Sequence, residues 1–118
     1  MAINELRISV DLRPGAAVVQ VIGDVSAVNI DPFRKGIADA IARKQPRTVV
    51  DLAQTTFLSS PGLAVLVQGL QLSQRGGSAL ILAGANDRVR GIFEIARLTE
   101  VFRMVGSVDD AQIGRAHV

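Results

Sequence analysis

The chain has 118 residues, with 13 lysines and arginines against 11 aspartates and glutamates, a net charge of +2 and 48% hydrophobic residues. This length predicts a single domain over residues 1–118. The absence of cysteine excludes disulfides, thiolate nucleophiles and cysteine-ligated metals. The single histidine, His117, lies among the last few residues, which we expect to be frayed, so we predict no enzyme, metal or cofactor.

Two strands open the predicted fold. The first has hydrophobic residues alternating with polar ones, namely Leu6, Ile8, Val10 and Leu12. Pro14-Gly15 is a turn signal, and a second strand follows over residues 17–22. Asp31 then caps a helix whose first residue is Pro32 and which ends before Pro46.

Two short hydrophobic runs, Thr48 to Leu52 and Ala79 to Ala83, are typical of strands that are covered on both faces. Between them we expect a helix that begins at Ser60-Pro61 and stops at Gly76-Gly77. Its hydrophobic residues indicate a core face, and whether they also mediate a homodimer stays open: Leu63, Val65, Leu66, Val67 and Leu70.

The remaining sequence predicts a third helix, a short strand and a short last helix. The third helix is capped by Asn86 or Asp87 and places four residues on one face: Val89, Ile92, Phe93 and Ala96. The strand lies near residues 102–105, and Ser107 precedes the last helix. The predicted class is α/β, with the order β-β-α-β-α-β-α-β-α and a mainly parallel sheet of four to five strands.

Local chemistry is concentrated between Asp51 and Leu63, where a buried strand joins a helix. We interpret Ser60 as the N-cap, with Pro61 at the first helical position and the free N–H groups of that turn pointing toward Ser60. A helix N-terminus favours negative charge, so a phosphate on Ser60 would be tolerated there. A helix cap without any further role is the alternative reading of Ser60.

Several motifs in combination resemble the STAS domain of bacterial anti-sigma-factor antagonists. Asp51-Leu52, Phe57-Leu58, Ser59-Ser60-Pro61 and Gly62-Leu63-Ala64 follow the family pattern Asp-Leu-x-x-x-x-Phe-Ile-Asp-Ser-Ser-Gly-Leu-Gly, and Gly23-Asp24-Val25-Ser26 is similar to the family turn Gly-Glu-Leu-Asp. The resemblance implies a STAS fold with helices flanking the sheet. It covers nearly the whole chain.

The resemblance also implies a mechanism. Such antagonists bind an anti-sigma factor that is a GHKL-type serine kinase, are switched off by its phosphorylation of a serine, and are restored by a PP2C-type phosphatase. The acceptor serine falls on Ser60, with Ser59 as the second candidate. The implied partner surface comprises Asp24, Ser26, Ser59, Ser60, Pro61, Gly62 and Leu63.

Three residues depart from the family pattern: Ser59 replaces an aspartate, Pro61 replaces a serine, and Ser26 replaces an acid. They favour as an alternative a non-phosphorylated STAS subunit that regulates a transporter or sensory assembly. The basic residues are few and dispersed without aromatic neighbours, so we expect no nucleic-acid binding. No run of about 18 hydrophobic residues occurs, so we expect no membrane insertion and a cytoplasmic protein.

Overall fold

The computed structural model describes residues 5–113, with side chains through Gln112. The strands are β1 Arg7–Arg13, β2 Ala16–Val25, β3 Arg47–Leu58, β4 Ala79–Ala83 and β5 Arg103–Val105. The helices are α1 Ile30–Ala42, α2 Ser60–Arg75, α3 Asp87–Ile95 and α4 Val108–Ile113, and a 3₁₀ helix, Ala27–Asn29, precedes α1. The predicted α/β order is confirmed. His117 and the expected frayed end lie outside the described residues.

The five strands form one sheet in the order β1-β2-β3-β4-β5. β1 and β2 are an antiparallel hairpin, and Gly15 in its turn has a φ of 75°, which glycine adopts without strain. β2 to β5 run parallel, as strands joined by helical crossovers do. The mainly parallel sheet is therefore confirmed.

The main core lies between the sheet and helices α1, α2 and α3. Phe93 of α3 meets Phe102 edge to face, with ring centroids 5.7 Å apart. Helix α4 covers part of the opposite face through Ala111, which packs near Val18, Val49 and Ile81. The rest of that face is not covered by a helix of the described chain.

Two glycines allow close packing of α1. A Cβ atom on Gly36 would lie 2.4 Å from Cγ2 of Ile8 in β1, and one on Gly69 of α2 would lie 2.9 Å from Cγ2 of Ile37. Both helices therefore pack with their backbones close to a neighbouring side chain. This contact sets the position of α2, and with it the position of its N-terminus.

The ends of β2, β3 and α3 and the start of α1 differ from the prediction. β3 continues to Leu58, six residues beyond the expected end, and β2 continues to Val25. α1 begins at Ile30 with Asn29 as N-cap, so Asp31 lies in its first turn and is not the cap. Ala96 is exposed just after α3 and does not share the buried face of Val89.

The hydrophobic residues of α2 are used mainly within the chain. Val65 and Leu66 are buried, and Leu63, Val67 and Leu70 are partly buried and packed against the same core. Within residues 5–113, no helix combines the length and the apolar character that crossing a membrane requires.

Candidate functional site

The carboxyl ends of β2 and β3 meet at one edge of the sheet, which we call the carboxyl edge. Asp24 pairs with Phe57 and Val25 pairs with Leu58, and the Ser59 N–H donates to the carbonyl of Val25 at 2.9 Å. Ligand and partner sites of parallel sheets form at such edges, where the loops after neighbouring strands converge. The structure thus brings the Asp24–Ser26 turn next to the start of α2.

Irregular pairing of β3 with β2 shapes this edge. Gln20 pairs with Asp51 but Ile22 pairs with Gln54, so β3 carries an extra residue there, and a second shift follows at Asp24. The buried Thr55 hydroxyl donates to the Val21 carbonyl at 2.8 Å, so this buried polar group is hydrogen-bonded. The bulges let β3 reach the start of α2.

Two side chains, Asn29 and Thr56, hold the turn after β2 by hydrogen bonds. The Asn29 amide donates to the Asp24 carbonyl at 3.0 Å, and its oxygen accepts from the Ser26 N–H at 2.8 Å. The Thr56 hydroxyl donates to the Asp24 carboxylate. Asp24 and Ser26 therefore have fixed positions in a turn that is braced from two sides.

The N-cap of α2 is Ser59. Its hydroxyl oxygen accepts from the Gly62 N–H at 3.3 Å, and its carbonyl accepts from the Leu63 N–H at 3.0 Å. The prediction that Ser60 caps this helix is therefore wrong by one residue. Ser60 is the first helical residue, and Pro61 is the second. Proline is tolerated there because the N–H groups of the first turn have no partner within the helix.

The seven predicted surface residues differ in exposure. Ser60 and Pro61 are exposed, and Asp24, Ser26 and Ser59 are partly buried. Gly62 is buried, and a Cβ atom there would lie 3.1 Å from Cγ1 of Val25. Leu63 packs against the core. Gly62 and Leu63 therefore seat the helix start on the sheet, whereas Ser60 and Pro61 face outward.

The first turn of α2 offers Ser60 fewer backbone donors than the sequence led us to expect. Pro61 has no N–H, and the N–H groups of Gly62 and Leu63 both donate to Ser59. The expectation that free N–H groups of this turn point toward Ser60 is wrong for these three positions. The turn contains no acidic residue, so the helix dipole still favours a negative charge beside it.

Two exposed hydrophobic side chains at the carboxyl edge were missed by the sequence reasoning. Val28, in the 3₁₀ helix, is 95% exposed, and Phe57, opposite Asp24, is 44% exposed. Phe57 had a sequence signal, because it alternates with Leu58 at a strand end. Val28 had none, because a single valine between a strand and a helix is compatible with core or surface.

Two other polar residues named in the sequence analysis, Asn86 and Asp51, form hydrogen bonds with the backbone. Asn86, one of the two predicted caps, accepts from the Val89 N–H at 2.9 Å and donates to the Thr55 carbonyl at 3.1 Å, which ties α3 to β3. Asp51 accepts from the Ala53 N–H at 3.0 Å. Across residues 5–113, no three carboxylate, thiol or imidazole side chains are grouped in a way that could hold a metal ion.

Comparison with known proteins identifies the domain type. Residues 7–111 match the family model of the STAS domain. The BtrV protein of Bordetella bronchiseptica, which is named as an anti-sigma factor antagonist, is 28% identical over 107 residues, which are 90% of this chain and 91% of that protein.

Solved structures share the fold. An anti-sigma factor antagonist from Mycobacterium paratuberculosis has a TM-score of 0.82 and 24% identity, covering 96% of both chains. The Bacillus cell fate determinant SpoIIAA in its phosphorylated form has a TM-score of 0.69 and 14% identity, covering 92% of this chain and 100% of that one. A sulfate transporter family protein from Wolinella succinogenes has a TM-score of 0.71 and 18% identity, covering 86% of this chain and 84% of that one.

Proposed function

The chain belongs to the STAS domain family, and from this premise we propose that it acts as an anti-sigma factor antagonist that binds its partner through the carboxyl edge. The observation that carries the proposal is the exposed Ser60 at the start of α2, next to the braced Asp24–Ser26 turn. The resemblance in sequence aligns this serine with the acceptor of the family. The similarity to BtrV supports the same role.

The exposed groups of the carboxyl edge suit a protein partner. Val28, Phe57 and Pro61 are hydrophobic and exposed, and Asp24 pairs with Phe57. Interfaces combine a hydrophobic centre with a polar rim, and they are tighter when the backbone is already in its bound conformation. The hydrogen bonds of Asn29 and Ser59 hold both loops in place before a partner arrives.

Phosphorylation of Ser60 would act as a switch by charge. A phosphate adds about −1.5 to −2 charge at pH 7. The N–H groups of Gly62 and Leu63 already donate to Ser59, and Ser60 is exposed, so a phosphate there would lie at the surface that meets the partner. Burying such a charge without a counter-charge costs several kcal/mol, and a hundredfold loss of affinity requires only about 2.7 kcal/mol.

The proposed partner is an anti-sigma factor of the GHKL serine-kinase type, with a PP2C-type phosphatase to reverse the modification. The kinase would have to accept Ser59 and Pro61 in place of the family's aspartate and serine. Because Ser59 is the cap and is partly buried, it is a poorer acceptor than the exposed Ser60.

The test combines phosphorylation with binding. The chain is incubated with its cognate kinase and ATP, and intact mass is recorded for the wild type, Ser60→Ala and Ser59→Ala. We expect a gain of one phosphate in the wild type and Ser59→Ala, and none in Ser60→Ala. A gain that survives Ser60→Ala would refute Ser60 as the acceptor, and binding of the anti-sigma factor would then be measured separately.

A second candidate function is a STAS subunit that regulates a transporter or sensory assembly without phosphorylation. It is favoured by the loss of the family's acid at Ser26 and of its aspartate at Ser59, and the sulfate transporter family protein shares the fold. A pull-down from the native host separates the two functions. Recovery of an anti-sigma factor supports the first, and recovery of a transporter or sensor component supports the second.

A further inference from the structure

The outer edge of β1 lies beside an open groove. In the sheet of residues 5–113, no strand pairs with this edge. The groove has a volume of about 820 Å³, and its other wall is α1. Its lining includes hydrophobic residues of β1 and mixed residues of α1: Leu6, Ile8, Val10, Pro32, Lys35 and Asp39. An unpaired strand edge with a hydrophobic groove beside it can accept another strand.

The sequence of β1 is complementary to itself in the antiparallel direction. When two copies pair about a two-fold axis through Ser9, Arg7 lies opposite Asp11 and Ile8 lies opposite Val10, each pair occurring twice. Opposite charges across neighbouring strands stabilise the pairing. We propose that a second copy of this chain binds at this edge, β1 to β1, and joins the two sheets into one.

The same register also matches the residues at the two ends of the strand. Leu6 lies opposite Leu12, and Glu5 lies opposite Arg13. Leu12 is 51% exposed in the single chain, although it belongs to the hydrophobic side of β1, and a second copy would cover it. All three types of pair are therefore matched: charged with oppositely charged, hydrophobic with hydrophobic, and serine with serine.

The charge pattern selects this register over its neighbour. An axis through Val10 would place Arg7 opposite Arg13 and leave Asp11 opposite Ser9. Like charges directly opposite each other destabilise a strand pair. Arg7 and Asp11 are exposed, so pairing them requires little loss of hydration.

Helix α1 adds a second charge match. Gly36 lies directly against Ile8, so an axis through Ser9 passes beside α1, within about one turn of Gly36 along the helix. The α1 helices of the two copies then run antiparallel beside each other. Lys35 and Asp39 both line the groove, are one turn apart and are of opposite sign, so antiparallel α1 helices bring residues of opposite charge near each other across the axis.

Binding at this edge is independent of the function proposed for Ser60. The axis passes through the middle of β1, whereas Ser60 lies beyond the carboxyl ends of β2 and β3. The two-fold operation places the two Ser60 surfaces at opposite ends of the joined sheet. A dimer would therefore present both carboxyl edges to partners.

Analytical ultracentrifugation of the full chain tests the proposal. We expect a reversible dimer, and Arg7→Glu or Asp11→Arg alone should weaken it at least about tenfold because each variant places like charges opposite each other twice. The double variant should restore dimerisation. An equimolar mixture of the two single variants should form a heterodimer, which native mass spectrometry resolves by mass.

Matched controls carry the same charge changes on α3, where Arg90 and Glu94 are exposed. Arg90→Glu and Glu94→Arg should leave the dimer unchanged, and circular dichroism should report folded protein for every variant. A wild-type chain that stays monomeric up to about 1 mM would overturn the proposal, as would a dimer unaffected by both β1 variants. Loss of the dimer in both single variants without recovery in their mixture would also overturn it.

Discussion

The two neighbouring serines at the start of α2 should respond differently to substitution. The Ser59 hydroxyl accepts from the Gly62 N–H, and replacing an N-cap serine by alanine costs about 0.5–2 kcal/mol. Because the donor–acceptor distance of 3.3 Å is long for this bond, we expect Ser59→Ala to cost about 0.5–1 kcal/mol. Ser60 is exposed at the first helical position, so Ser60→Ala should change the free energy of unfolding by less than about 0.5 kcal/mol.

Thermal and urea unfolding followed by circular dichroism measures both effects. For a chain of this size, about 1 kcal/mol corresponds to about 4 °C, so Ser59→Ala should lower Tm by about 2–4 °C. Ser59→Asp is the control, because aspartate caps as well as serine and also reinstates the family's acid, so its Tm should remain near that of the wild type. If Ser60→Ala lowered Tm more than Ser59→Ala did, the assignment of the cap to Ser59 would be refuted.

Further predictions concern packing and docking. Gly69→Ala should lower the free energy of unfolding by about 1–3 kcal/mol, because its Cβ would lie 2.9 Å from the buried Ile37. Gly91 has open space around it, so Gly91→Ala should stabilise the chain by about 0.5–1 kcal/mol. Urea unfolding that found equal effects for the two variants would contradict this. Val28→Asp should weaken binding of the anti-sigma factor at least about tenfold in calorimetry with no change in Tm. Ile95 on α3 is 87% exposed, and Ile95→Asp is the control. An equal loss of binding in both variants would show that Val28 has no specific role in the interface.

The sequence was sufficient to predict the order of strands and helices. β4 was predicted at its observed bounds, because a short hydrophobic run between Gly76-Gly77 and the polar start of α3 has few other interpretations. The end of α2 was predicted for a similar reason, from the glycines that follow it, and its start was predicted to within one residue from Ser60-Pro61. Signals of this kind are local and do not depend on what packs against them.

The far end of β3 was not predictable in this way. Residues 53–57 include polar side chains, and the bulges interrupt the alternation that marks a strand. Thr55 is buried, and its hydroxyl donates to the Val21 carbonyl on the neighbouring strand. A contact between residues so far apart in the chain leaves no signal in either segment alone.

The N-caps were displaced for a related reason. Both serines before Pro61 are good caps, and only the hydrogen bond from Gly62 to Ser59 decides between them. At α1, Asp31-Pro32 is a strong local signal, but a 3₁₀ turn precedes the helix, and the Asn29 side chain braces the turn after β2. Tertiary contacts therefore placed both helix starts one or two residues earlier than local preference suggested.

Titration calorimetry of the cognate anti-sigma factor tests the central claim most directly, with the unphosphorylated chain compared against the chain carrying genetically encoded phosphoserine at position 60. We predict that the unphosphorylated chain binds and that phosphorylation of Ser60 weakens binding about a hundredfold, or about 2.7 kcal/mol. Circular dichroism of both forms should be the same, since the phosphate projects from an exposed helix start. Equal affinities of the two forms, or no binding by the unphosphorylated chain, would contradict the account.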